Sequence, residues 1–166
     1  MTAMGINIRI KGAAGEREII EALNTILAEL HENKPFPTVQ RNQNQSAVGG
    51  ADLINTFQLV IEVKRQEQLA VETWWKQCVT SANRIPGGTP VLVYRQNRQP
   101  WRVVMFTQLP VEFVPATATA PATSTPTSTS TPTPTPTSTF LTVRSMISWV
   151  DFLFWFRHYA QKQLSA

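Results

Sequence analysis

Residues 116–139 read ATATAPATSTPTSTSTPTPTPTST, with no charge and no side chain larger than Thr or Pro. Such a run has nothing to bury, so nothing offsets the entropy of ordering it. It is expected to be a disordered linker, biased towards extended, polyproline-like conformations. At roughly 3.1 Å per residue it reaches at most about 70 Å. The run divides the 166-residue chain into a body, residues 1–115, and a tail, residues 140–166. The body is long enough for one hydrophobic core. In a secreted chain the run would suit a glycosylated stalk. The N-terminal MTAMGINIRIKG lacks the apolar stretch of a signal peptide, which favours a passive linker.

The net charge of +4 is mild. The body holds twelve Lys and Arg against ten Asp and Glu, and the tail three against one. That balance neither demands nor excludes nucleic acid, so the placement of charges matters more than their sum. The single cysteine, Cys78, excludes an internal disulfide and a multi-cysteine zinc site. It falls in a helical pattern and is expected to pack as a small apolar side chain. His31 and His158 stand in unrelated settings and carry no pattern. The most apolar stretch, Trp149 to Phe156, is broken by Asp151 and is far shorter than the roughly 20 residues a membrane span needs. The expectation is a protein of the reducing cytoplasm, with no membrane partner.

Within the body, Ile19, Ile20, Leu23, Ile26, Leu27 and Leu30 form a stripe of helical period. This predicts a helix over Glu16–Leu30, preceded by Gly-containing KGAAG and ended by Asn33, Pro35 and Pro37. A short strand is expected over Thr38–Arg41, then a polar loop, NQNQSAVGG, over Asn42–Gly50. Asp52–Ile54 and Phe57–Lys64 read as an antiparallel strand pair around a tight turn at Asn55–Thr56. On the second strand Val60, Glu62 and Lys64 share one side and Leu59, Ile61 and Val63 the other. A helix over Ala70–Asn83 stops at Ile85-Pro-Gly-Gly88. Strands follow over Pro90–Tyr94 and Trp101–Phe106, with a last short one over Val111–Val114. This order predicts an α/β fold with a mixed central β-sheet flanked by helices. The tail, residues 140–166, is expected to be an amphipathic helical segment, within which Ser148-Trp-Val-Asp151 matches a capping box, with Asp for the commoner Glu. Trp149, Phe152, Leu153, Phe156 and Tyr159 make that helix too apolar for water, so it must dock on the body, a second copy or a partner.

The pattern that carries chemistry is Asp52 with Glu62-Val63-Lys64. Glu62 and Lys64, two apart on a strand, project from one face of an otherwise apolar run, LVIEVK. Alone, the pair also fits an exposed salt bridge at a sheet edge. Asp52 shifts the balance. It follows Gly49-Gly50-Ala51, three small residues that allow close approach, and the strand pair brings the two carboxylates together. Two hard oxygen ligands with open positions suit Mg²⁺, which retains waters and takes phosphate oxygens. A neighbouring lysine orients or helps deprotonate the attacking water and stabilises developing charge. The chemistry this supports is phosphodiester hydrolysis assisted by one or two metal ions.

The spacing D-x(9)-E-V-K resembles the PD-(D/E)xK nuclease superfamily, with Ala51 in the proline slot. The flanks carry the likeness further. Lys11-Gly-Ala-Ala-Gly-Glu16-Arg17-Glu18 resembles the opening of archaeal-type Holliday junction resolvases. Thr38-Val-Gln-Arg41, Gly-Gly-Ala-Asp52-Leu-Ile, Pro90-Val-Leu-Val-Tyr94 and Pro100-Trp-Arg-Val103 follow in the same order. The GAAGERE and RNQNQSAVGGADL blocks also look like resolvase-like nucleases of bacteriophages. The resemblance covers about residues 10–106 and implies a restriction-endonuclease-like fold.

It further implies that Asp52 and Glu62 bind Mg²⁺, with Mn²⁺ able to substitute and the Val63 carbonyl as a third ligand. Lys64 would act on the nucleophilic water. Glu16, on the helical face of Ile20, Leu23 and Leu27, would join through a metal-bound water, and Arg17 would contact a phosphate or orient the carboxylates. For Glu16 the competing reading is favourable helix N-terminal electrostatics, which does not account for Arg17. Gln77 is a candidate DNA contact whose alternative is plain solvent exposure. Arg41, Asn42, Gln45 and Ser46 belong to a loop able to position phosphates and sugars without reading sequence. Arg84, Arg95, Arg98 and Arg102 are candidates for backbone neutralisation, half of them expected to be ordinary surface. The implied function is a structure-selective DNA endonuclease, in its leading form a Holliday junction resolvase. Two symmetric cuts on a four-way junction imply a homodimer, working in the host cytoplasm if phage-encoded. The alternatives are a non-catalytic DNA-binding protein on this fold and a superfamily nuclease acting on flaps, duplex DNA or RNA. A sequence-specific restriction enzyme would need a larger recognition region.

Overall fold

The computed structural model describes residues 3–31, 36–43, 50–112 and 138–165. In chain order these form α1 (Ala3–His31), β1 (Gln40–Arg41), β2 (Leu53–Ile54), β3 (Leu59–Arg65), α2 (Val71–Ala82), β4 (Thr89–Arg95), β5 (Arg102–Glu112), β6 (Ser138–Ser148) and α3 (Trp149–Leu164). The chain divides into two units, residues 1–106 with 144–166, and residues 107–143. β5 and β6 each run from one unit into the other. In the second unit Leu109, Phe140 and Leu141 are exposed.

The first unit is built on a four-stranded sheet of order β3-β4-β5-β6. β3 and β4 are parallel, with Glu62 opposite Leu92 and Lys64 opposite Tyr94, and α2 makes the crossover between them. β5 returns antiparallel to β4 through a turn in which Arg98 has φ 63°. The sheet is mixed and flanked by helices, as the pattern predicts.

Both faces of the sheet are covered, which is why β3 reads as a nearly continuous apolar run. On one face Leu59, Ile61, Val63, Val91, Val93, Val103 and Met105 join Ile19, Leu23, Ile26 and Leu27 of α1 in a single core. Phe152, Phe156 and Ala160 of α3, four residues apart, enter the same core with no solvent exposure. The tail helix therefore docks on the body. Its start is capped as the sequence indicates, with the Ser148 hydroxyl accepting from the Asp151 backbone N–H at 3.1 Å. On the other face Trp74, Trp75 and Cys78 pack on Leu92, Tyr94 and Val104.

Several expectations are corrected. α1 starts at Ala3, so KGAAG lies inside it and Glu16 is far from a helix N-terminus; the helix-end explanation for Glu16 falls. Gly15 is tolerated within the helix because Trp101 sits against it, 3.1 Å from where a Cβ would stand. β2 does not form a hairpin with β3. It pairs antiparallel with β1 in a separate two-stranded sheet, while β3 takes β4 as its long-range partner. The Asn55–Gln58 connection, with Asn55 at φ 61° and Phe57 at φ 58°, turns the chain between the two sheets. Val111 belongs to the long β5 rather than to a separate strand, and Val114 lies outside the described residues. Residues 140–148 are strand, not helix, and Ser138 and Thr139 of the expected linker belong to that strand. The expected disorder of residues 116–137 lies outside the described residues.

Candidate active site

β3 is an edge strand of the four-stranded sheet, and its outer edge is where Asp52 attaches. The Asp52 backbone N–H donates to the Ile61 carbonyl at 3.0 Å. Its Oδ2 accepts from the Val63 N–H at 2.6 Å. The two bonds bracket Glu62, so Asp52 meets it without any β2–β3 hairpin. Within a strand the N–H and C=O of one residue point to the same edge, so the Val63 carbonyl also projects towards Asp52. Asn42 holds Asp52 from the other side. Its backbone N–H donates to the Asp52 carbonyl at 2.8 Å and its side-chain amide to the Ala51 carbonyl at 2.9 Å. Gly50 lies 3.2 Å, measured from its notional Cβ, from the same amide, so a side chain there would press on this brace.

Asp52, Glu62 and Glu16 are 7%, 9% and 7% exposed, unusual for carboxylates. Each has a compensating contact. Glu62 is ion-paired with Lys64, Glu16 with Arg41, and Asp52 takes the Val63 N–H. Burial, then the nearby Glu62 charge, pushes the Asp52 carboxyl up to about 7, against the pull of Lys64. Burial acts to lower Lys64, but Asp52 and Glu62 outweigh it and hold the amine above its ordinary value. Lys64 is therefore a cation at neutral pH, suited to stabilising anionic charge rather than removing a proton.

The structure thus brings Asp52, Glu62 and Lys64 together, with Glu16, itself paired with Arg41, near enough for its charge to act on Asp52 and Lys64. Arg17 is exposed on α1. Gln77 is exposed on α2 and lines a groove that also includes Glu62. Gln45 and Ser46 lie outside the described residues. Arg95, a candidate for backbone contact, is occupied elsewhere. It pairs bidentately with Glu18 at 2.7 and 3.0 Å and stacks 4.4 Å from the Trp101 ring centroid. The Trp101 indole N–H donates to the same Glu18 at 2.7 Å. This cluster ties α1 to the sheet two residues from Glu16. Sequence reasoning missed it, although the third residue of the Glu-Arg-Glu run and the Trp after Pro100 were both in view. Cys78 is buried against the Val60 carbonyl and burial pushes its thiol up to about 12, so it is an inert packing residue.

A mixed sheet between helices, with a buried Asp and a Glu-x-Lys on its edge strand, defines the PD-(D/E)xK nuclease class. Residues 7–133 match the family model described as "Phage putative PDDEXK endonuclease", and the chain belongs to this endonuclease family. A solved structure of Archaeoglobus fulgidus Hjc, a Holliday junction resolvase from an archaeal hyperthermophile, aligns at 22% identity and TM-score 0.35, over 53% of this chain and 70% of that one. No curated protein matches the chain. Among the described residues no helix is long and apolar enough to cross a membrane.

Proposed function

We propose that the chain is a Mg²⁺-dependent, structure-selective DNA endonuclease that hydrolyses phosphodiester bonds at Asp52, Glu62 and Lys64. The observation that carries this reading is the bracketing of Glu62 by Asp52, which holds two carboxylates together in a buried place at a cost in the ionisation of Asp52. Such an arrangement suits a group that adds positive charge.

Among the described residues no three Asp, Glu, His or Cys side chains form a ready-made metal cluster, which argues against a closed structural zinc site. Two carboxylates and the Val63 carbonyl fit Mg²⁺, which keeps several waters and is bound by one or two carboxylates plus substrate phosphate. Mn²⁺ suits the same donors. When bound, the ion would lower the pKa of water and offset charge on the phosphate. The chain's own residues do the rest. Lys64 stays protonated and steadies negative charge beside Glu62. Glu16, released from or shared with Arg41, orients water at the edge of the site. Arg17, Arg41 and Gln77, all exposed, would contact the DNA backbone, and Asn42 chiefly positions Asp52.

The proposed substrate is branched DNA, with the four-way junction first, cut symmetrically by a homodimer in the cytoplasm. Labelled four-way junction, flap and linear duplex DNA, each with Mg²⁺, test it. Paired symmetric nicks confined to the junction are expected. Equal cutting of linear duplex overturns the junction preference and leaves the endonuclease; binding without cutting in both Mg²⁺ and Mn²⁺ overturns the enzyme.

A further inference from the structure

The outer side of α2 forms a groove that hydrolysis at Glu62 does not by itself require. The helix turns Trp74, Trp75, Cys78 and Ala82 into the core. Thr73, Lys76, Gln77, Thr80, Ser81 and the following Arg84 recur at helical spacing on the opposite side. Together they line a groove of about 480 Å³ whose remaining wall is Gly50 and Glu62. The polar side of a surface helix ordinarily mixes charges of both signs, and this one does not. From Thr73 to Arg84 there is no Asp or Glu. The one acid of α2, Glu72, is paired with Arg144 at 2.7 Å. From its helical side the groove therefore presents two cations, three hydroxyls and an amide, and it runs to a carboxylate of the candidate site.

A linear polyanion matches that chemistry better than a compact anion does. Lys76 and Arg84 are eight residues apart, about 12 Å along the axis at roughly 1.5 Å per residue. That spacing suits separate phosphates of one strand. We propose that this groove is the track for the DNA backbone leading away from the cleaved bond. Lys76 and Arg84 each neutralise a phosphate there, and Thr73 and Gln77 donate to phosphate and sugar oxygens, while the Thr80 hydroxyl donates to the Lys76 carbonyl. Contacts of this kind position the strand without reading bases. The inference rests on the DNA endonuclease reading.

The test is binding of the full chain to a labelled DNA duplex and a labelled four-way junction, in EDTA and again with Ca²⁺, between 50 and 200 mM salt. The groove variant Lys76→Gln/Arg84→Gln is compared with Arg157→Gln/Lys162→Gln on α3, which removes the same charge elsewhere; circular dichroism checks that both fold. Each lost phosphate contact reduces the log K against log salt slope by about 0.9. The groove variant should be shallower by about 1.8, so wild type loses roughly tenfold more affinity than the variant over that range. The α3 variant should keep the wild-type slope. A wild-type slope in the groove variant, or an equal change in the α3 variant, overturns the track and leaves the endonuclease reading standing. Wild-type protein that binds neither DNA under any of these conditions overturns both.

Discussion

Replacing Asp52 by Asn should stabilise the protein while abolishing its proposed activity, and pH should control the size of the effect. In the folded chain burial and Glu62 raise Asp52 from an ordinary 3.8 to about 7. A carboxyl with a raised folded pKa keeps its proton while the unfolded chain has lost it. The folded state is therefore favoured at low pH and loses stability as pH climbs from about 4 to about 7. At about 1.4 kcal/mol per pH unit, the full penalty above pH 7 is up to ~4 kcal/mol. Asn has nearly the same shape, accepts the Val63 N–H as Asp52 does, and carries no charge to desolvate. Some gain is lost because its NH₂ needs a partner and Lys64 loses an attractive neighbour, so ~2–3 kcal/mol at pH 8 is expected. For a chain of this size that is roughly 4–12 °C in Tm. The assay is urea and thermal denaturation of both proteins in EDTA at pH 5 and pH 8. The stability difference should widen by ~2 kcal/mol towards pH 8, and Mg²⁺ should narrow it by stabilising wild type alone. A pH-independent difference, or a variant less stable than wild type at pH 8, would refute the claim that Asp52 is held at an energetic cost.

Trp101→Phe keeps the ring bulk but removes the N–H to Glu18 and weakens the Arg95 stack. It should cost ~1–2 kcal/mol in urea denaturation. Ser148→Ala removes the cap of α3, whose core contacts depend on the helix start. A loss of ~1 kcal/mol is expected, and Ser148→Asp should retain most of the stability.

The sequence made the mixed α/β fold legible because its strongest signals are local. The stripe from Ile19 to Leu30, the run LVIEVK and the apolar α2 face each announce an element and its buried side. What stayed hidden was set by distant contacts. The start of α1 was misplaced because Gly15 looks like a helix breaker until Trp101 is seen against it. The short turn suggests a β2–β3 hairpin, whereas β2 takes its ladder from β1, a partner distant in the chain, and only Asp52 beside it meets the outer edge of β3. β6 had a readable signal in TVRSMIS, where half-covered Val143, Ser145 and Ile147 alternate with exposed Arg144, Met146 and Ser148. The aromatic run after Trp149 drew the reading towards helix instead. Asp52, Glu62 and Lys64 were found by spacing and are together as expected. The ties between Arg41 and Glu16, and of Arg95 and Trp101 to Glu18, join residues far apart in the chain and left no local pattern.

The most direct test of the central claim is single-turnover cleavage of labelled four-way junction DNA by wild type, Glu62→Gln and Lys64→Ala, with Mg²⁺ and with EDTA, at matched binding. Wild type should cut only with the metal. Lys64→Ala should fall by about 10²–10³-fold, as expected for losing one group that stabilises transition-state charge. Glu62→Gln should bind the DNA and leave it intact. Cleavage by wild type in EDTA, or undiminished cleavage by either variant, would contradict a metal-assisted site built on Asp52, Glu62 and Lys64.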